Sequence, residues 1–355
     1  MSISGLQRQF FPLLFPLSVA YGLAMRARSN VLQSRFMSRF RAPCACVSIG
    51  NIAWGGTGKT PLVEWFMHWA AGRAVRAVTL SRGYGARLQH PPVMVNPRHT
   101  AREVGDEPLM LAHSCPQIPV LVDPERRRAA DLAVSRLRPD LILLDDGLQH
   151  LGMERDLDLV LLRPEDLGAQ WNRVIPAGSW REPESALERA DAFFIKCPPH
   201  AMETLMPAAV ERLARFGKPL FNFSLAPMHL CRIDGEAAIS AADLENRPYT
   251  LVTGVGEPEQ VKATVAAYIG YDPKEVIAHP DHHRYTLREV ECMAASRTMI
   301  ICTAKDAAKL RLFSCPDTWY LRTELQFGPA LWTDSPFPDW WNAWWRARCI
   351  ECELA

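Results

Sequence analysis

The chain has 355 residues, long enough for two domains with a core each. Its 40 Lys+Arg against 39 Asp+Glu leave a formal net charge of +1, which excludes the global basic field expected of a nucleic-acid binder. Ten cysteines without a repeating metal spacing exclude a zinc-ribbon framework. Cys349 and Cys352 form one Cys-x-x-Cys with no second pair, so reduced thiols in a cytosolic protein are expected.

Residues 1–42 carry Arg8, Arg26, Arg28, Arg35, Arg39 and Arg41 and no acidic residue. Within them Gln9 to Met25 is uncharged and mostly apolar. As a helix this stretch would span roughly 25 Å, short of the ~30 Å hydrocarbon core, and Pro12 and Pro16 are expected to interrupt it. No small-residue cleavage site follows, as a signal peptide would require; Met-Arg-Ala-Arg comes next. The pattern points to an interfacial helix with its apolar face in lipid and its arginines at anionic headgroups. Packing on the protein's own core is the ordinary alternative.

Ala45–Ile49 is a short apolar run of strand length, and residues 50–61 after it read Gly-Asn-Ile-Ala-Trp-Gly-Gly-Thr-Gly-Lys-Thr-Pro. A glycine-rich turn between a strand and a helix points backbone N–H groups and a helix N-terminus at phosphate. Gly55, Gly56, Thr57, Gly58, Lys59 and Thr60 are therefore the expected nucleotide-binding residues. Lys59 would reach the β- and γ-phosphates and the Thr60 hydroxyl would sit on Mg²⁺. The strict spacing asks for glycine where this chain has Ala53.

Further short runs, Ala77–Ser81, Pro119–Asp123, Leu141–Asp145, Leu157–Leu162 and Asp191–Lys196, alternate with helical patterns over 60–72, 105–115 and 125–138. Several are apolar on both faces, which suits a doubly wound, mostly parallel α/β sheet with ligands at the strands' C-terminal ends. Ser81-Arg82-Gly83-Tyr84-Gly85 and Arg126-Arg127-Arg128 place guanidinium groups near that edge, suited to phosphate, although a solvated helix face is the ordinary reading of the triplet. Gly105-Asp106-Glu107-Pro108 opens a helix. Either its acids serve the helix dipole, or Asp106 accepts a proton from an attacking hydroxyl while Glu107 approaches the metal. The strand ending at Asp145 and Asp146 delivers two carboxylates to opposite faces, one to hold Mg²⁺ or its water and the other to orient the loop.

Residues 163–189 read as a long excursion rich in Pro, Gly and charge, of the kind that is usually functional. Thr250–Gly254, Lys274–His279 and Thr298–Thr303 suggest a smaller second α/β lobe. In it, Asp281-His282-His283 can hold or shuttle a proton, or form an ordinary loop. Trp332, Trp340, Trp341, Trp344 and Trp345 crowd toward the end, as packing of a terminal helix or as a membrane-interface belt. The expected organisation is a membrane-surface segment 1–42, a phosphate-loop core 43–226, a second lobe 227–335 and a Trp-rich helix 336–355.

Together these segments resemble the tetraacyldisaccharide 4′-kinase family, the lipid A pathway kinases of Gram-negative bacteria. The matching pieces are 50–61, Ser-Arg-Gly-Tyr-Gly (81–85), Gly-Asp-Glu-Pro (105–108), Asp-Asp-Gly-Leu-Gln-His (145–150), Pro-Ala-Gly…Arg-Glu-Pro (176–183), Asp-His-His (281–283) and Thr-Ala-Lys-Asp-Ala-Ala-Lys (303–309). The resemblance implies a P-loop NTPase-like fold and transfer of the ATP γ-phosphate to the 4′-hydroxyl of a tetraacylated glucosamine disaccharide 1-phosphate. It implies Asp106 with His282 as the proton-accepting pair and Lys59 on the transferring phosphoryl. Thr60, Glu107, Asp146 and Gln149, with Asp145 beside them, form the metal environment. Asn51, Arg82, Tyr84, Arg126 and Arg181 are candidates to contact substrate. With His282 in the second lobe, the pair is expected to assemble only on lobe closure. ATP, Mg²⁺, a glycolipid at the membrane surface and anionic headgroups are the implied ligands, with no nucleic acid, at the cytoplasmic face of the inner membrane. The alternative is a membrane-surface ATPase or GTPase switch; no Asn-Lys-x-Asp base-reading motif supports a GTPase.

Overall fold

The computed structural model describes residues 7, 10–34, 38–235, 237–313, 315 and 317–354, the side chains of the last four excepted. Arg8, Arg35 and the side chain of Cys352 lie outside the described residues. In chain order the strands are β1 (Ala45–Asn51), β2 (Ala77–Ser81), β3 (Val93–Met94), β4 (Val120–Val122), β5 (Leu141–Asp145), β6 (Leu157–Leu162) and β7 (Ala192–Lys196). They continue with β8 (Leu220–Arg232), β9 (Ala238–Ile239), β10 (Tyr249–Thr253), β11 (Glu275–Ala278), β12 (Met299–Cys302) and β13 (Thr318–Leu331).

The chain divides into two compact units, Met1–Arg82 with Glu125–Ser224 and Gln326–Ala355, and Gly83–Pro124 with Leu225–Leu325. This division cuts across the expected 43–226 core. Residues 83–124 join the second unit because the helix Asp106–Ser114 packs on the helix Ala304–Leu310.

In the first unit the strands run parallel in the order β8-β7-β6-β1-β5-β2. Every residue of β1, β2, β5 and β6 is buried, as expected of strands covered on both faces. β1 is central, with Val47 beside Leu143 on one side and Leu157 on the other. It leads through the glycine-rich loop 52–58 into the helix Lys59–Ala71, whose Phe66 and Trp69 face the C-terminal helix Phe337–Leu354. There Trp341 is fully buried, edge-on to Phe66 at 4.7 Å and to Trp69 at 5.1 Å, while Phe337 packs edge-on or tilted among Phe194, Phe221 and Phe327. The terminal tryptophans thus contribute aromatic packing beyond their area burial.

The N-terminal helix runs unbroken over Phe11–Gln33. The expected interruptions do not occur. Pro12 sits in the first turn, where its missing N–H costs nothing, and Pro16 is tolerated inside the helix. An interior proline costs about 3 kcal/mol, and docking of one face offsets it. Ser18 Oγ accepts from the Ala177 amide at 2.8 Å, the Tyr21 hydroxyl donates to the Arg181 carbonyl at 3.2 Å, and Gly22 and Ser29 are buried. Leu13, Leu17 and Leu23 on other faces are 59–73% exposed. Among the described residues, no helix is long and apolar enough to cross a membrane.

The excursion is itself folded. It carries the helix Pro164–Leu167 and a 3-10 turn over Glu184–Arg189 around a fully buried Trp180, whose indole N–H donates to Asp166 Oδ1 at 3.0 Å.

The second unit is built on parallel β11-β10-β12-β13, with β3 antiparallel to β4 and the end of β8 antiparallel to β9. Alternation along its strands fills two layers. Tyr249, Leu251, Met299 and Ile301 meet Val265 and Ile269 of the helix Pro258–Ile269, while Val252, Ile300 and Cys302 meet Val290 and Met293 of the helix Leu287–Ala295.

Candidate active site

The first unit gathers its charged residues where β1 and β5 end. Gly55 and Gly58 take φ of +109° and +90°, and a Cβ at Gly58 would lie 2.7 Å from the Phe223 ring, so only glycine fits there. Ala53 is absent from the positive-φ positions and forms a bridge to Trp180, so the loop needs no glycine at this departure from the strict spacing. Lys59 opens the following helix. Its ammonium donates to Asn51 Oδ1 at 3.0 Å and pairs with Asp146 Oδ1 at 3.5 Å. Arg181, delivered by the excursion, donates through Nη1 to both Asp146 oxygens at 3.0 and 2.7 Å and to Gln149 Oε1 at 3.2 Å. Gln149 Nε2 in turn donates to the Asn51 carbonyl at 3.1 Å. Burial pushes the Asp146 carboxyl up, but the Lys59 and Arg181 charges outweigh it and hold Asp146 below the usual carboxylate range.

The two strand-end acids have separate partners. Asp146 leaves the strand in the left-handed region, φ +56°, which an Asp tolerates better than most residues, and its carboxylate meets Lys59 and Arg181. Asp145 is buried and accepts the Ser81 hydroxyl at 2.9 Å, while Arg126 Nη2 donates to its main-chain carbonyl at 3.3 Å. Arg126 is therefore an inward-facing support of the strand end, whereas Arg127, Arg128 and Arg82 are exposed. Thr60 is half-buried in the helix's first turn. The Thr57 hydroxyl is buried without a hydrogen-bond partner among the described residues. A lysine, an unsatisfied hydroxyl and a positive-φ glycine cradle are the chemistry that phosphate oxygens satisfy.

The second unit holds the other set. Gly105, φ +95°, sits against Gly83, where a Cβ would come within 3.2 Å of the backbone, and this close approach starts the helix that carries Asp106 and Glu107. Asp106 Oδ2 accepts from His282 Nδ1 at 3.0 Å across 176 residues of chain. Both partners lie in this unit, so the pair is already assembled within it and does not wait for two lobes to meet. His282 takes φ +61°, and the exposed Tyr84 ring stands 6.1 Å from its imidazole. Glu107 lies beside Asp106, half-buried.

Sequence reasoning alone does not pick out Lys305 and Lys309. Lys309 Nζ lies 3.7 Å and Lys305 Nζ 3.9 Å from Asp106 Oδ2. Lys305 also pairs with Asp281 at 2.7 Å, and Lys309 with Asp306 at 3.3 Å while donating to the His283 carbonyl at 3.0 Å. Their i,i+4 spacing on one short helix is the signal that could have marked them. Burial raises the Asp281 carboxyl, but Lys305 and His282 outweigh it and leave it below its ordinary value.

The family model of the tetraacyldisaccharide-1-P 4′-kinases, LpxK, matches residues 10–334. The chain belongs to this family. A tetraacyldisaccharide 4′-kinase of Nitratidesulfovibrio vulgaris is 48% identical over 351 residues, covering 99% of each chain. One from Pseudomonas paraeruginosa is 35% identical over 334 residues, covering 93% of this chain and 92% of that one. Among solved structures, LpxK from Aquifex aeolicus, crystallised in complex with ATP, superposes with a TM-score of 0.72 at 27% identity, covering 91% of this chain and 95% of that one. The family expected from the sequence segments is the one found, and the fold is the mostly parallel α/β fold of a P-loop kinase.

His150, four residues beyond Asp146, gives a pH test of this neighbourhood. Burial, then the Arg126 and Arg155 charges, push its imidazole down to about 4. The unfolded chain, with a value of about 6.5, binds this proton more readily. The stability from keeping His150 neutral is therefore complete above about 6.5 and lost as pH falls toward 4. NMR titration should show the His150 ring neutral at pH 5 with a midpoint near 4; a midpoint at the ordinary histidine value would contradict the described packing.

Proposed function

We propose that the chain transfers the γ-phosphate of ATP to the 4′-hydroxyl of a tetraacyldisaccharide 1-phosphate, with Asp106 and His282 as the proton-accepting pair and Lys59 as the phosphate-binding cation. Family membership supports the reaction, and the hydrogen bond between Asp106 and His282 carries the assignment of roles. The hydroxyl oxygen attacks the γ-phosphorus, the bond to the β–γ bridging oxygen breaks, ADP leaves, and the hydroxyl proton passes to the Asp106 carboxylate. Lys305 and Lys309 flank that carboxylate and balance its charge. Glu107 stands next to it in the first turn of the same helix.

In the first unit, Gly55, Gly56, Thr57, Gly58, Lys59 and Thr60 cradle the phosphates. On nucleotide binding Lys59 exchanges Asn51 and Asp146 for phosphate oxygens, while Arg181 keeps Asp146 in place. Mg²⁺ takes hard oxygen donors, and the Thr60 hydroxyl, Asp146 and Gln149 supply that type here. An ion held by these residues would supply charge compensation for the transferring phosphoryl group. A switch ATPase, transferring phosphate only to water, would have no use for a preassembled acid–imidazole pair flanked by two lysines.

The acceptor is a four-chain lipid, which does not leave a bilayer readily because each buried CH₂ contributes about 0.8 kcal/mol. The exposed Leu13, Leu17 and Leu23, with Arg26 and Arg28 exposed further along the same helix, support peripheral attachment to an anionic membrane surface, at the cytoplasmic face of the inner membrane. An apolar groove of about 280 Å³ lined by Phe11, Phe15, Leu23 and Val174 suits an acyl chain.

The reaction is tested with γ-labelled ATP and tetraacyldisaccharide 1-phosphate in detergent micelles. A labelled lipid is expected that disappears in Lys59→Ala; label released only as free phosphate would favour the switch. Membrane attachment is tested by sedimentation with vesicles containing anionic lipid. Leu13→Glu combined with Leu17→Glu should shift the chain to the supernatant, and an unchanged bound fraction would exclude that face as the anchor.

A further inference from the structure

We propose that the second unit carries a binding site for one divalent transition-metal ion of the zinc class, formed by His279, His283 and Glu289. One ring nitrogen from each histidine and one Glu289 oxygen lie within 4.8 Å of one another. None of the three has a task in the phosphoryl chemistry. His279 directly follows β11, His283 lies just past the turn at Pro280, and Glu289 is in the first turn of the helix Leu287–Ala295. An ion there would tie the loop after β11 to the first turn of the helix that follows it.

The donors are oriented by their surroundings. The two imidazoles stack at 3.9 Å and 7°, and both stand edge-on to Tyr285, at 5.4 Å for His279 and 5.1 Å for His283. Tyr285 is itself fixed, its hydroxyl donating to Asp306 Oδ1 at 3.0 Å. Glu289 Oε2 accepts from the Thr286 amide at 2.7 Å and the Thr286 hydroxyl at 2.8 Å, which leaves Oε1 facing His283 Nε2 at 3.1 Å. A carboxylate held by its other oxygen is the kind of support that tunes a ligand set. A simple hydrogen bond accounts for His283 and Glu289 but not for His279, whose ring makes no hydrogen bond among the described residues.

Donor chemistry selects the ion. Two imidazole nitrogens and one carboxylate oxygen suit Zn²⁺ with an open position, whereas Mg²⁺ and Ca²⁺ prefer oxygen throughout. Tetrahedral ligands at ~2.1 Å lie roughly 3.4 Å apart, and because an ion lies in the plane of each imidazole it binds, binding turns the two rings out of their parallel stack. A cavity of about 440 Å³ that His279, Thr286 and Glu289 help to line gives the ion, and a water in its fourth position, a way in.

The test is a Co²⁺ titration of the full chain with Mg²⁺ in excess, followed by visible ligand-field absorption and chased with Zn²⁺. The expected result is a band that saturates at one equivalent and is displaced by Zn²⁺. His279→Ala and Glu289→Gln should each weaken Co²⁺ binding by at least about tenfold; glutamine keeps an oxygen for the Thr286 cap, so this variant folds. No band, a band that survives both substitutions, or a near-ultraviolet thiolate transition assigning the ion to cysteines would each overturn the proposal.

Discussion

A lysine ammonium that is only 11% exposed has to be balanced at every stage, and this requirement organises the first unit. Lys59 meets the demand with Asn51 and Asp146, each delivered by the end of a buried parallel strand. Asp146 reaches it by leaving β5 in a left-handed conformation, over an Asp145 tied down by Ser81. Arg181 from the folded excursion then prevents the Asp146 carboxylate from being overcommitted to Lys59. In the proposed exchange of Asn51 and Asp146 for phosphate oxygens at Lys59, Asp146 keeps Arg181, so no buried charge would be left alone.

The second unit solves a different electrostatic problem, balancing a carboxylate that is only 10% exposed while fixing its direction. Asp106 stands at the start of a helix set by the close contact of Gly105 with Gly83, and its Oδ2 is shared among His282, Lys305 and Lys309. The lysines are themselves restrained by Asp281 and Asp306. Asp306 is fully buried but hydrogen-bonded by the Gly254 amide and the Thr303 and Tyr285 hydroxyls, as an interior carboxylate requires. The alternation of three acids with two lysines and an imidazole fixes Asp106 more firmly than a lone acid–histidine pair would.

The strands were legible because they are apolar on both faces, and the phosphate loop because glycine, lysine and threonine have few other reasons to occur at that spacing. The separate partners of Asp145 and Asp146 followed from the period of a strand. Less was legible wherever partners come from distant sequence. Nothing local tells that 83–124 folds with the second unit, so Asp106 and His282 looked like residues of different lobes. Lys305 and Lys309 were hidden because their relation to Asp106 spans about two hundred residues of chain. Pro16 misled because local propensity is outweighed when a helix face docks through Ser18, Tyr21 and Gly22.

Whether Asp106 and His282 act as one device is read most directly from a double-mutant cycle on kcat for lipid phosphorylation. If they form a single proton-accepting unit, Asp106→Ala, His282→Ala and the double variant should lose similar amounts, far less than the product of the two single losses. Losses that multiply would mean that the 3.0 Å hydrogen bond is incidental to catalysis and would contradict the account.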